Sequence, residues 1–367
     1  MTKVALGNLG LDGRNMKRIL YMVACDIGLT GTPLFVRDIT EALKDHYEFI
    51  VYTPFRQSKK IYSDNVIVIE GCCQGNRQSY YKSLKESLKT TFKDMHIDAV
   101  HINTSNVVFT NICVEFFYGK VPVIISHSHS VISYKKDIGH NLLLPILKRN
   151  IVRKSTKLLA CSDAAGRDMF GGKADYLVIH NFIDVPKFAF FPESRQKIRQ
   201  GIQYEYVLGH IGAFNRGKNQ MFLVKLAQKL DERFCIMLIG NGGLKAECKK
   251  YCAEHHVENV YFVDACENVH EYYSAFDMLL LPSRAEGFGR VLLEAEVSNL
   301  NKIVSDHVPH SDAFVCTHLP LDENLWIQEI YAQAENLNER TDNSELIRKK
   351  GFDMESIAAK LMALYGD

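Results

Sequence analysis

The stretch Pro282-Ser283-Arg284-Ala285-Glu286-Gly287-Phe288-Gly289-Arg290-Val291-Leu292-Leu293-Glu294-Ala295 decides how this chain is read. Before it, Met278-Leu279-Leu280-Leu281 predicts a short buried strand; after it, Val291 to Val297 carries apolar residues at helical spacing. A strand, a tight loop with two glycines and a helix start bring bare backbone N–H groups to one point, where an anion can sit. Glu286 lies in the loop, and Glu294 about a turn and a half into the helix at roughly 3.6 residues per turn. A carboxylate is a poor partner for phosphate but accepts hydrogen bonds from vicinal hydroxyls. Backbone donors for a diphosphate with carboxylates for sugar hydroxyls describe a nucleotide-sugar site. Taken alone, the stretch is equally an ordinary strand–loop–helix crossover with solvated carboxylates.

The same rhythm runs outward in both directions. On the N-terminal side, strands are expected at Ile19 to Val23, Phe49 to Tyr52, Val66 to Ile69, Ala99 to Ile102, Val121 to Ser126, Lys157 to Ala160 and Tyr176 to Ile179, with helices between them. His180 to Lys187 breaks the pattern and is read as the domain boundary. Strands at Tyr206 to Ile211, Phe234 to Ile239, Val260 to Val263 and Lys302 to Ser305 follow, again alternating with helices. This is an α/β chain with parallel sheets covered on both faces. With 367 residues it is comfortable as two domains. The expected divisions are an N-terminal extension 1–17, a first domain 18–184, a second domain 185–350 and a last helical segment 351–367.

Composition excludes several classes of function. The net charge is +1, so no global field selects nucleic acid. No apolar run reaches the roughly 18 residues needed to span a bilayer. The polar, Gly-rich start lacks a signal core, so a cytoplasmic location is expected, with the inner face of the membrane left open. The ten cysteines contain no Cys-x-x-Cys pair and read as reduced core thiols. Cys248, Cys252, His255 and His256 form the one cluster with ligand-type spacing, without a second ligand group near in sequence. No metal is assigned. Ser133 to Lys157 carries seven basic residues and one acid among leucines and isoleucines. A helix of this kind either rests on an anionic membrane surface or packs as a solvated helix on its own domain, and both readings stay open.

In parallel sheets, ligands bind beyond the C-terminal ends of the strands. After Val121 to Ser126 comes His127-Ser128-His129-Ser130, read as a loop that offers histidines to a reacting group. After Tyr206 to Ile211 comes Gly212-Ala213-Phe214-Asn215-Arg216-Gly217-Lys218, a second anion site in which Lys218 meets phosphate as a point charge. Gly240 closes the next strand. No Gly-x-Gly-x-x-Gly follows the first strand, which argues against a dinucleotide dehydrogenase.

At this point the chain resembles the family 4 retaining glycosyltransferases, which have the GT-B fold, and within them the exopolysaccharide and capsular-polysaccharide branch. The resemblance runs from about Arg18 to the end. It rests on Ile125 to Ser130, on Leu159 to Gly166 with Phe170-Gly171, and on Asn181 to Asp184 with Lys187-Phe188. It rests further on Pro282 to Ala295, with seven residues between its two glutamates, and on Gly351 to Tyr365. It implies two Rossmann-like domains facing a cleft, with the C-terminal helix crossing back to the first. It implies catalytic roles for His129, Lys218 and Glu286. Donor contacts would come from Gly31, Thr32, His127, Gly212, Arg216, Gly240, Gly287, Phe288, Gly289 and Glu294. The expected reaction is hexosyl or N-acetylhexosaminyl transfer from a nucleotide-diphosphate sugar, expected to be a UDP-sugar, to a saccharide or lipid-linked acceptor. No cofactor is expected beyond this co-substrate. No Asp-x-Asp pair is present to hold a divalent ion on the phosphates, so transfer is expected to be metal-independent.

The chain departs from the family pattern at four places. Ala213 stands where Arg is usual, with Arg216 as a candidate to replace its charge; Asp264 and Asn299 stand where Gly is usual; Phe182 replaces the interdomain Gly. Two competing functions stay open: a UDP-sugar epimerase of the same fold, and, motivated by Ala213, a partner subunit that keeps the fold and binds donor poorly.

Overall fold

The computed structural model describes residues 16–24, 31–55, 62–71, 73, 77–131, 143–286, 288–337 and 339–366. The first sheet is formed by β1 (Lys17–Val23), β2 (Tyr47–Thr53), β3 (Ile67–Glu70), β4 (Ala99–Asn103), β5 (Val123–Ser128), β6 (Lys157–Ala160) and β7 (Leu177–Val178). Its helices are α1 (Gly31–Ala42), α2 (Arg77–Thr91), α3 (Val107–Phe117), α4 (Leu144–Lys154) and α5 (Asp163–Phe170). The strand order is β3-β2-β1-β4-β5-β6-β7, with the paired strands parallel. The order reverses between β1 and β4, the place where such sheets open a crevice. Successive side chains of β1 serve opposite faces. Ile19, Tyr21 and Val23 enter one core cluster, while Leu20 and Met22 enter another. Both faces are therefore apolar, which is why the strands read as unbroken hydrophobic runs.

The chain then crosses to the second lobe. Buried Phe182 lies 5.1 Å from Phe35 of α1, and a short 3-10 turn spans Val185–Phe188. After α6 (Pro192–Arg199), the second sheet is formed by β8 (Tyr206–Ile211), β9 (Phe234–Ile239), β10 (Val260–Val263), β11 (Met278–Leu281), β12 (Asn301–Ser305) and β13 (Thr317–Leu319). Their order is β10-β9-β8-β11-β12-β13, again parallel. The helices between are α7 (Gln220–Ala227), α8 (Lys245–Glu254), α9 (Val269–Ala275) and α10 (Arg290–Val297), followed by α11 (Glu323–Ala334) and α12 (Ser344–Lys349).

The backbone crosses back beside the first crossing. Ile183 N–H donates to Phe352 C=O at 3.0 Å, and Ile183 forms a parallel bridge with Asp353. Asp353 caps α13 (Met354–Leu364) by accepting from Ser356 N–H at 2.9 Å. Ile357, Leu361 and Tyr365 then complete the core of the first lobe. Two lobes with a terminal helix returned to the first constitute the GT-B architecture.

Several local expectations meet the structure directly. Ser162 caps α5 by accepting from Ala165 N–H at 3.2 Å. Asn299 takes the left-handed backbone expected of it, at φ 51°, and its amide is held by Glu339 C=O at 2.8 Å. Cys248 and Cys252 are buried in the core, whereas His255 and His256 on the same segment are exposed, so these four do not converge. Among the described residues no three side chains group as metal ligands, and no helix is long and apolar enough to cross a membrane. In the basic segment, α4 buries Leu144 and Ile151 and exposes Leu143 and Ile146. Residues 133–142 lie outside the described residues.

Candidate active site

The second lobe assembles its site from loops. After β8 the chain passes Gly212 and reaches Lys218, which precedes α7. After β11 it passes Ser283 and reaches Glu286, which precedes α10. Lys218 Nζ and Glu286 Oε1 form an ion pair. Ser283 Oγ donates to the same carboxylate oxygen at 2.7 Å, and the buried Ser283 is itself held through its carbonyl by Ser305 Oγ. The two loops are also joined by backbone. Arg284 N–H donates to Gly217 C=O at 2.7 Å, and Asn219 Nδ2 donates to Pro282 C=O at 3.2 Å. These two residues, 68 positions apart in sequence, thus stand at one point.

Glycine makes that approach possible at two places. Gly240 has φ 144°, and a Cβ built on it would lie 2.1 Å from Gly212 C=O. Any side chain there would drive the β9 and β8 loops apart. Gly289 has φ 78° as the residue before α10, so the chain turns sharply into a helix whose first N–H groups have no side-chain cap. Behind the loops, His210 Nδ1 donates to Leu280 C=O at 2.8 Å, and Gln220 Nε2 donates to Ala213 C=O at 3.0 Å. Burial lowers the His210 pKa to about 4, so the ring is a neutral brace.

Glu294 occupies a different environment. It is buried on α10, with Tyr273 Oη donating to Oε2 and Arg290 Nε donating to Oε1 at 3.1 Å. Arg290 reaches on to the first lobe, donating to Asp38 Oδ2 at 2.8 Å on α1. Of the predicted residues, Lys218, Glu286 and Gly212 converge, and Glu294 stands further along the helix, tied to the opposite lobe. Phe288 turns its ring away into an aromatic cluster with His180 at 5.3 Å and Phe352 at 5.9 Å, which leaves its backbone to any donor contact. Arg216 is exposed at the loop, and none of the contacts joining Lys218 to Glu286 involves it. Gly31 and Thr32 form the first turn of α1. Gly287 lies outside the described residues. Asp264 is largely exposed and pairs with Lys245 Nζ at 2.7 Å.

The first lobe places its histidines on a strand. β5 runs to Ser128, two residues beyond the expected end, so His127 is not in a solvated loop. It pairs in register with Asn103 of β4 and is 1% exposed. The cause is strand alternation: Ile125 and His127 share one face, and that face is covered by α1 and α13. His129 stands just past the strand end. Its Nε2 lies 2.8 Å from Asn103 Oδ1, its ring 4.0 Å from that of His127 and 4.9 Å from Phe35. Burial lowers the His129 pKa to about 3 and holds those of His127 and His101 well below the usual histidine range. These rings are neutral at physiological pH. Asn103, His101, Tyr365, Gln220 and Arg290 were not singled out from sequence. His101 lies inside β4 and Asn103 ends it, Gln220 and Arg290 open α7 and α10, and Tyr365 follows the last helix.

The profile of the family described as "Glycosyl transferases group 1" matches residues 193–344. EpsF of Bacillus subtilis (strain 168), a glycosyltransferase by name, is 27% identical over 96% of this chain and 97% of its own. Among solved structures, Anabaena Alr3699/HepE in complex with UDP and glucose superposes with a TM-score of 0.75 at 17% identity, covering 95% of this chain and 98% of that one. Sucrose-phosphate synthase of Thermosynechococcus elongatus gives a TM-score of 0.80 at 17% identity, covering 95% and 98%. Both structures share the fold.

Proposed function

We propose that the chain is a family 4 glycosyltransferase that moves a hexosyl or N-acetylhexosaminyl unit from a UDP-sugar, with retention of configuration and without a metal, to a growing surface polysaccharide. The observation that carries the reading is the meeting of Lys218 with Glu286 beside the turn that opens α10.

Breaking the bond between sugar and diphosphate develops negative charge on the leaving group and positive charge on the ring. In the free protein Lys218 is neutralised by Glu286. When a donor enters, Lys218 turns to the diphosphate, together with the N–H groups that start α10, and Glu286 is released to accept from sugar hydroxyls. Preorganised donors of this kind accelerate transfer because the charge they meet grows in the transition state. His129 presents a neutral ring to the sugar from the opposite lobe. Glu294 takes the ribose hydroxyls, sharing its oxygens with Tyr273 and Arg290. Closure of the lobes excludes water and protects the donor from hydrolysis. The acceptor enters over the first lobe. The exposed Leu143 and Ile146, together with Arg149 and Arg153 on the outer side of α4, suit a lipid-linked acceptor at an anionic bilayer surface.

The test is a screen of UDP- and GDP-sugars for turnover, run with wild-type protein and Glu286→Ala in parallel. One preferred donor, lost in the variant, is the expected result. Equal turnover in both proteins would remove the assignment.

A further inference from the structure

Behind the two histidines runs a buried chain of polar groups that the reaction does not touch directly. Tyr21 Oη lies 2.6 Å from Tyr365 Oη, which lies 2.7 Å from His101 Nδ1. His101 Nε2 lies 3.2 Å from His127 Nδ1. Tyr21 and His101 are fully buried, His127 is 1% and Tyr365 3% exposed. Four segments contribute: β1, β4, β5 and the residue that closes α13. The imidazoles of His101 and His127 stack at 5.3 Å and 14°, and His127 forms the plate against which His129 rests. His101 meets the site by a second route, since its carbonyl accepts from Asn103 Nδ2 at 3.0 Å. That bond orients the amide so that Oδ1 faces His129.

A neutral imidazole has one N–H, so the links are not independent. If Tyr21 donates to Tyr365, then Tyr365 donates to His101 Nδ1. His101 carries its proton on Nε2 and donates to His127 Nδ1, and His127 carries its own proton on Nε2. In the reverse order every donor becomes an acceptor, and His127 Nε2 is bare. Either way the tautomer of His127 is linked to the direction in which the Tyr365 hydroxyl points, with the Ile179 backbone also acting on the ring.

We propose that Tyr365 is a positioning residue of the transfer site: docking of α13 completes a hydrogen-bonded chain that sets the tautomer of His127 and the orientation of His129. The inference rests on the proposed role of His129 in transfer. It gives the returning helix a purpose beyond covering the sheet, because the cleft histidines are held in one state only when the chain's end is seated.

Tyr365→Phe keeps the ring against Tyr47 and removes the hydroxyl alone. The test combines ring-15N NMR of histidine-labelled full-length protein with steady-state kinetics on the preferred donor. Wild-type His127 is expected to show one tautomer. In Tyr365→Phe its ring nitrogens should shift toward mixed tautomers, while kcat falls about tenfold and donor KM stays within about twofold. Unchanged nitrogen signals, or an unchanged kcat, would overturn the proposal. Should Tyr365→Phe fold poorly, His101→Phe cuts the chain one link nearer the site and is held to the same two readouts. Wild-type protein that turns over no nucleotide sugar would sink the proposed function instead, and the nitrogen spectra of the protein alone would still decide whether Tyr365 governs His127.

Discussion

In the second lobe Lys218 and Glu286 are charged, stand on loops, and are joined by backbone contacts between those loops. In the first lobe the corresponding groups are neutral rings, stand on or just past a strand, and are held by side chains from four elements. The proposed reaction would set the two halves different tasks. A diphosphate needs a cation and free N–H groups, which a loop before a helix supplies. A ring that approaches the sugar needs a fixed orientation and tautomer, which only a packed interior enforces. Lys218 stands on a loop with its ammonium paired to Glu286, whereas the His127 ring is enclosed on its strand.

The largest expected effect tests the loop half. Lys218→Ala should lower kcat by about a hundredfold, some 3 kcal/mol of barrier, with folding stability little changed, because the contact matters most when charge develops. Steady-state transfer rates beside a urea melt check both statements. Gly240→Ala attacks the scaffold of the same half. Its Cβ would collide with Gly212 C=O, and with φ 144° the variant should lose roughly 2 kcal/mol of stability, read as a lower urea midpoint, along with weaker UDP binding by titration calorimetry.

A pH series separates the two halves. The His129 pKa falls from 6.5 in the unfolded chain to about 3 in the folded one, so the unfolded state binds more protons below pH 6.5. Its contribution to stability is therefore complete above pH 6.5 and is lost as the pH falls toward 3. At pH 5 the loss should be about 2 kcal/mol from this residue, with His101 and His127 adding to it. Urea midpoints at pH 7.5 and 5 should differ less in His129→Asn than in the wild type. An identical difference would mean that the folded protein does not hold His129 neutral.

The smallest effect concerns the seam between the halves. Asp38→Asn removes one carboxylate from Arg290 and leaves its bond to Glu294 intact. A cost of about 1 kcal/mol or less in stability is expected, with a change in UDP affinity of severalfold at most. A loss as large as that of Lys218→Ala would show that the seam, and not the loops, governs donor binding.

The loop half was legible in the amino-acid sequence. Glycines, a lysine and two glutamates at fixed spacing after apolar runs announced their chemistry, because loop residues are selected for backbone freedom and charge. The extent of β5 was not legible, since Ser-His-Ser-His reads as a polar loop unless the face it enters is known. Glu294 could be placed on the helix from spacing, but its ties to Tyr273 and Arg290 could not.

Periodicity and turn chemistry, both local, determined that this chain forms two parallel sheets with glycine-containing loops at their strand ends. Tertiary structure alone decided which polar side chains are buried and what they meet. Tyr21, His101 and Tyr365 are up to 344 residues apart, and nothing in their neighbours signals a shared hydrogen-bonded chain. Burial is a property of the face an element presents, and that face is known only once the elements that cover it have docked.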